Sequence, residues 1–442
     1  MKTILLAAPA MPGPQGDFRL NRSFEEYEMR LLRSRWRVVT PALLLLAAIA
    51  EQEGYAPEIA DEDFRPLPER VYDIVSLYTV TPNAKRAYAL ADTYRRLGSH
   101  LVIGGVHAAA MPEEAELHAD TLMLGEGELI FRRFLKDFAR GCPKKRYEQP
   151  LGSVDLSRSP VPLYRLLSGD ENRLIPLQTS RGCSNRCSFC SVRGLYGDAF
   201  RKKDAARLVE ELSAIGKLPA ASRIYVTDDN IFSNQAHFRT LARVMAASGF
   251  SWYANVDISF AAEKESLRAA RRSGLKQVLV GLEGLRRERL ERVEPGGLKA
   301  RYADRYEEMI KRIQDEGIGV TGSFIAGWPD DPPDVFEQIE AFIERTGLYA
   351  ASVTMATPYP GTPLFLQMHR QGLLTTYDWN AYTIYQPVLK HRNLSEEEMN
   401  SKYCRLLHRL SSPEVVQQKV RKFTDRLKMN AAARQNEPTE QT

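Results

Sequence analysis

The chain has 442 residues, 43% hydrophobic and 26% charged, with 61 Lys plus Arg against 56 Asp plus Glu. A net charge of +5 is too small and dispersed to argue for a nucleic-acid partner, and the length predicts two or three domains. The longest apolar run, 42–50, falls well short of the ~18–20 residues of a membrane span, so no span and a cytoplasmic location are expected.

The first third alternates short strands and helices. Ile4–Ala8 reads as a strand, not as a signal peptide, and a Pro- and Gly-rich loop follows. The mixed, charged stretch Phe24–Arg37 reads as a helix over a site. Thr40-Pro41 opens an apolar helix to Gln52, with Thr40 as N-cap and Gly54 as the stop. Strands are expected at Glu58–Ala60, Asp73–Tyr78, His100–Ile103 and Thr121–Leu124. Helices are expected at Pro82–Leu97 and Glu113–Ala119. In the longer one, Ala84, Ala87, Tyr88, Ala91 and Tyr94 share a face. This order predicts an α/β domain over 1–140, an open, mostly parallel, Rossmann-like sheet with ligands at the strand carboxyl ends. Residues 141–172, with several prolines, read as a linker.

A second β/α series occupies 173–369. Its strands are read at Leu174–Gln178, Arg223–Thr227, Ser251–Val256, Gln277–Gly281, Gly319–Phe324 and Ala351–Met355. Helices such as Ala205–Ile215, Gln235–Ala247, Glu263–Ser273 and Tyr302–Glu316 lie between them. Six such units predict a (β/α)6 partial barrel with its site at the strand carboxyl ends. A small helical region, 370–442, follows. Ser395 and Glu398 form a capping box for a helix to about Leu410, and Ser412-Pro413 begins another toward Lys428. Residues from about Ala431 read as a disordered tail.

The cysteines carry the chemistry. There are five, an odd count that argues against a disulfide framework. Cys183, Cys187 and Cys190 follow the first barrel strand directly. Three soft thiolates at that spacing suit iron–sulfur ligation and leave one iron of a [4Fe–4S] cluster open for reaction. Zinc would want a fourth ligand, and no His or Cys lies close by in sequence. Cys142 and Cys404 read as packed or surface thiols.

Cys-x-x-x-Cys-x-x-Cys after the first strand of a β/α barrel resembles the signature of the radical SAM superfamily. The resemblance implies that S-adenosylmethionine chelates the open iron and is cleaved to a 5′-deoxyadenosyl radical. It also implies backbone contacts from Phe189 to the adenine, an amino-group site at Asp228 and Asp229, and a ribose or amino contact from Glu283. The plain alternative for each acid is a cap or loop residue at a strand end. The cysteine-free α/β domain in front is similar to that of the cobalamin-binding branch. The implied cobalamin contacts are Thr79, Thr81, Gly104, Gly105, Gly125 and Glu126. No Asp-x-His occurs, so the cobalt would have no protein His ligand, and His107 reads as a loop histidine.

The implied activity is cobalamin-dependent C-methylation of an unactivated carbon in a small-molecule, lipid or tetrapyrrole-type substrate. An external flavodoxin- or ferredoxin-type protein would supply electrons. The alternatives are a radical cyclase or rearrangement enzyme without methyl transfer, and a non-catalytic corrinoid or iron–sulfur protein. Tyr359, Phe365, Trp379, Tyr382 and Tyr385 read as core before substrate lining.

Overall fold

The computed structural model describes residues 1–12, 38–167, 174–219 and 223–435. The helix expected over Phe24–Arg37 lies outside them. The first sheet has six parallel strands: β1 Thr3–Ala8, β2 Ala56–Asp61, β3 Ile74–Tyr78, β4 His100–Gly104, β5 Thr121–Leu124 and β6 Arg146–Glu148. Their spatial order is β2-β1-β3-β4-β5-β6. The inner strands β1, β3, β4 and β5 are short apolar runs because helices cover both faces of the sheet. The last strand, β6, lies inside the stretch read as a linker. Its sequence, Arg-Tyr-Glu, has only Tyr147 buried, so no apolar run announces it.

The second sheet is also parallel, with β7 Ile175–Leu177, β10 Arg223–Val226, β11 Ser251–Val256, β12 Leu275–Glu283, β13 Gly319–Ala326 and β14 Ala350–Met355 side by side in chain order. Its edges, β7 and β14, leave it open, as a partial barrel. A two-residue antiparallel ribbon, β8 Ser180–Arg181 with β9 Arg201–Lys202, sits beside the first barrel strand. It was not expected, since pairs this short carry no periodicity.

The domains share their interior. One buried apolar cluster runs from Leu43, Leu44 and Ala47 of the helix Pro41–Gln52 through Tyr164 to Leu208 and Ile224 of the barrel. On the opposite face of the first sheet, Leu77, Ala87 and Ile103 pack with Trp379, Tyr382 and Val388 from the region after the barrel. Trp379 and Tyr382 are therefore core. Trp379 Nε1 donates to both Glu114 carboxylate oxygens at 3.0 Å, and Lys85 pairs with Asp378 at 2.9 Å. The return segment thus straps the first domain against the barrel.

Two local expectations change. Thr40 precedes the helix Pro41–Gln52, but its side chain makes no capping bond; its backbone carbonyl accepts from Leu43 N at 3.0 Å. The final helix, Pro413–Gln435, continues through the segment read as the start of a disordered tail. Asn430 Nδ2 donates to the Asp315 carbonyl at 2.8 Å and anchors it. The capping box forms: Ser395 Oγ accepts from Glu398 N at 3.2 Å, and Ser395 N donates back to the Glu398 carboxylate at 2.8 Å.

Candidate active site

The three cysteines lie on an irregular loop at the carboxyl ends of the barrel strands. Gly182 begins it with φ +94°, and a Cβ there would stand 2.6 Å from the Ala199 carbonyl oxygen. Gly182→Ala combines a left-handed penalty of about 1–2 kcal/mol with a backbone clash. We expect its iron content after anaerobic reconstitution to fall well below wild type. Gly249→Ala, also at positive φ but with nothing within 4 Å of the new Cβ, should keep its iron.

Neighbouring segments staple the loop. Cys190 N donates to the Cys187 carbonyl at 3.2 Å, a tight turn between two thiols. Ser188 N donates to the Val293 carbonyl at 2.8 Å, and Leu364 N donates to the Ser188 carbonyl at 2.9 Å. Cys183 Sγ accepts from Ser233 Oγ at 3.5 Å and from Asn230 Nδ2 at 3.8 Å. Asn230 is itself fixed by Asp257 at 2.6 Å. Hydrogen bonds to sulfur stabilise thiolate charge and tune a cluster's potential. Sequence reasoning missed Asn230, Ser233 and Asp257, because only the fold brings the loops after β10 and β11 to Cys183.

Burial pushes the Cys187 thiol up to about 12, against the pull of Lys299, and the Cys190 thiol up to about 11. Thiols buried this way ionise when a metal takes the place of the proton. Among the described residues no group of three or more His, Cys, Asp or Glu converges on one metal ion. A cubane takes one thiolate per iron, so its ligands need not converge. The donor set therefore fits a cluster.

The expected acids separate. Asp228 is 1% exposed and faces away from the loop. Its carboxylate accepts from Thr179 N at 2.6 Å, from Thr179 Oγ1 at 2.5 Å and from Ser180 Oγ. His237 Nε2 meets Thr179 Oγ1 at 2.8 Å behind it. Through these bonds Asp228 anchors the strand end that carries the cysteine loop. Asp229 alternates to the other side, is half-buried, and accepts from Gly182 N at 3.1 Å. Burial pushes its carboxyl up to about 6, with Asp228 adding to the rise.

Glu283 stands at a bulge where the register of β12 against β13 shifts, and its φ is +63°. Non-glycine residues at such angles are uncommon and cluster at functional sites. Its carboxylate pairs with the buried Lys299 Nζ at 3.3 Å. A Cβ on Gly281 would press against the Glu283 carboxylate and displace it. Lys299 N donates to the buried Glu294 at 2.9 Å, and Tyr306 OH donates to the Leu282 carbonyl at 3.2 Å. Burial opposes the charge on Lys299, but Glu283 more than offsets it and holds the ammonium above its usual range. Lys299 is the charged residue that sequence reasoning passed over; it follows Gly296-Gly297 in a stretch without a motif. Phe189 packs with Trp328, ring centroids 6.5 Å apart, beside Val293 and Leu364.

The first domain presents a cavity of ≈180 Å³ at the carboxyl ends of β3, β4 and β5. Gly104, Gly105, Gly125 and Gly127 form part of its wall, and Gln178, Arg181, Tyr196 and Lys203 close it from the barrel side. The volume is below the ~300–1,000 Å³ of drug-sized pockets, so it admits one arm of a large cofactor. Several expected cofactor contacts serve the protein itself. Thr79 is fully buried, and its Oγ1 donates to the Gly104 carbonyl at 2.9 Å. A Cβ on Gly105 would stand 2.5 Å from the Thr79 carbonyl oxygen, so that glycine admits a neighbouring strand end. Thr81 Oγ1 meets His107 Nδ1 at 3.3 Å. His107 is buried, with Nε2 3.5 Å from Glu114, and it lies on the helix Val106–Ala110 instead of in a loop. Glu126 is occupied by Arg181 at 2.6 Å and Arg201 at 2.9 Å.

Comparison with known proteins places this geometry. Residues 177–343 match the radical SAM superfamily model. The chain is 28% identical over 380 residues to bacteriochlorophyllide d C-12(1)-methyltransferase of Chlorobaculum tepidum, covering 84% of this chain and 82% of that protein. It is 26% identical over 348 residues to the C-8(2)-methyltransferase of the same organism, covering 75% and 77%. Its fold is similar to that of the radical S-adenosylmethionine methyltransferase TsrM from Kitasatospora setae, solved with cobalamin and a [4Fe–4S] cluster bound. The TM-score is 0.63 at 18% identity, over 91% of this chain and 85% of that one. Among the described residues no helix is long and apolar enough to cross a membrane. With three cysteines on the first barrel loop and a Rossmann-like domain packed ahead of them, residues 177–343 form a radical SAM domain, and the chain as a whole is similar in fold to a cobalamin-binding member of that superfamily.

Proposed function

We propose that this protein is a cobalamin-dependent radical SAM C-methyltransferase acting on an unactivated carbon of a tetrapyrrole- or lipid-type small molecule. The observation that carries the reading is one of placement. The cavity of the first domain and the cysteine loop of the barrel meet at the carboxyl ends of both sheets, with Arg181 in the wall of one and at the root of the other. The names of the curated relatives, both bacteriochlorophyllide methyltransferases, support methyl transfer and that substrate class.

When bound, the cluster supplies the electron that cleaves S-adenosylmethionine, and cobalamin supplies the methyl group. The chain's share is holding and excluding. Cys183, Cys187 and Cys190 hold the cluster, with Asn230 and Ser233 donating to Cys183. Asp229 and Glu283 offer carboxylates to the amino and hydroxyl groups of S-adenosylmethionine, and Lys299 keeps Glu283 in place. Phe189 would present backbone atoms to the adenine. Gly104, Gly105 and Gly125 would back the cobalamin arm. An external flavodoxin- or ferredoxin-type protein would deliver the electron, and this chemistry suits the reducing cytoplasm.

The test is an anaerobic assay of reconstituted protein with hydroxocobalamin, S-adenosylmethionine labelled in its methyl group, and a panel of chlorophyllide and lipid substrates. The expected result is 5′-deoxyadenosine together with a product carrying one labelled methyl. A product lacking the label but bearing a new ring would replace methyl transfer with cyclisation. Absence of 5′-deoxyadenosine from cluster-loaded, reduced protein would remove radical chemistry altogether.

A further inference from the structure

Four charged side chains meet where the two domains touch. Glu126 precedes the helix Gly127–Ala139, and Glu128 lies in its first turn. Arg181 and Arg201 are register partners on the β8–β9 ribbon. Arg181 Nη1 reaches Glu126 Oε1 at 2.6 Å, and Nη2 reaches Glu128 Oε1 at 2.7 Å. Arg201 Nη1 reaches the same Glu126 oxygen at 2.9 Å. Arg181 Nε donates to Gln178 Oε1 at 2.8 Å, and Ser159 Oγ donates to Glu128 at 3.1 Å. Glu126 and Glu128 side chains are 1% and 5% exposed, and Arg181 is 8% exposed. Buried ion clusters are weak devices for stability, because apolar residues of the same volume often do as well. What a guanidinium between two carboxylates adds is fixed geometry.

Arg181 has two addresses. Arg181 forms part of the cavity wall together with Glu128. Its backbone lies two residues before Cys183, with Gly182 N held by Asp229 at 3.1 Å. A second observation points to an occupant. Oε2 of Glu126 and Oε2 of Glu128 are buried and have no hydrogen-bond partner among the described residues. Buried polar atoms are rarely left so in the complete assembly. Carboxylate oxygens accept, and the carboxamide arms around a corrin donate.

We propose that Arg181 is a positioning residue that couples occupancy of the first-domain cavity to the setting of the cysteine loop, with Glu128 as the carboxylate that meets the occupant. The inference rests on the reading of that cavity as the cobalamin site. A donor at Glu128 fixes its carboxylate, the carboxylate fixes Arg181, and Arg181 fixes the segment that carries Cys183. Such coupling is reciprocal: a loaded cluster must tighten cobalamin binding by the same factor that cobalamin favours the loaded loop.

The experiment compares the dissociation constant of hydroxocobalamin, by anaerobic equilibrium dialysis, for the full chain with its cluster reconstituted and for the same chain without iron. Circular dichroism checks that each sample is folded. In wild type the cluster-loaded form should bind at least about fivefold more tightly. In Arg181→Met the two constants should converge. Glu126→Gln should converge them from the other side of the interface, with the cysteine loop unaltered, and so serves if Arg181→Met fails to fold. Arg181→Lys, which can retain one carboxylate contact, should keep part of the difference. Equal constants in wild type, or a difference that survives in both Arg181→Met and Glu126→Gln, overturns the coupling and leaves the cobalamin site standing. No binding to either wild-type form overturns the site and the coupling together.

Discussion

Replacing Cys183, Cys187 and Cys190 together with Ala abolishes cluster assembly and, with it, formation of 5′-deoxyadenosine from S-adenosylmethionine. The loss should be at least about a thousandfold, or ~4 kcal/mol at 1.36 kcal/mol per decade of rate. The thiols are not core staples. All three are partly exposed, and the loop is held by backbone bonds from Val293 and Leu364 that alanine preserves. The variant should therefore fold, with near-wild-type circular dichroism and no iron. Single substitutions separate the positions. Cys183→Ala removes the thiol that Ser233 and Asn230 address, whereas Cys187→Ala and Cys190→Ala remove the pair whose ionisation burial opposes. Iron analysis with product chromatography checks the outcome. Retained cleavage in the triple variant would sink the assignment.

Lys299→Met has the second large effect. The ammonium is buried, and the Glu283 carboxylate it holds is 12% exposed. Removing one partner of a buried pair leaves an uncompensated charge and costs about 3–5 kcal/mol. The positive φ at Glu283 adds strain that the pair helps to hold. We expect a lower urea midpoint for the barrel and a marked loss of S-adenosylmethionine affinity, because the freed Glu283 turns away. The double variant Lys299→Met with Glu283→Gln removes both charges. It should regain most of the stability without regaining the affinity. Calorimetric titration of S-adenosylmethionine into cluster-loaded protein, beside urea unfolding, separates the two effects. Equal recovery of both would mean that the pair is only structural.

Parts of this site could be read early because they are local. The spacing of Cys183, Cys187 and Cys190 after an apolar strand is written in eight consecutive residues. Strand ends such as Val226-Thr227-Asp228-Asp229-Asn230 also announce themselves. They do not announce which side chain turns which way. Alternation along the chain end sends Asp228 back toward Thr179 and Ser180 and leaves Asp229 beside Gly182. The cobalamin contacts expected at Thr79, Thr81 and Gly105 illustrate a different limit. A glycine or threonine at a strand end suits a close ligand, and it suits a close neighbouring strand equally well. Here Thr79 stands against Gly105, which also lines the cavity.

Elements failed to show for reasons of length. Strand β6 and the β8–β9 ribbon are too short to display a period of two, and partners far along the chain create them. The final helix, expected toward Lys428, runs on to Gln435, and the Asn430 bond to the Asp315 carbonyl holds that extension.

By itself the amino-acid sequence determined two α/β units, the cysteine loop, and the order in which they follow one another. Short apolar strands, helical periodicity and ligand spacing all act over a few residues. Only the tertiary structure decided that Arg181 joins the loop to Glu126 and Glu128, that Lys299 pairs with Glu283, and that Trp379 straps the first domain. The physical reason is the same in each case. These are contacts between charged or polar groups distant in sequence, and burial makes them strong only after the two sheets have been brought together.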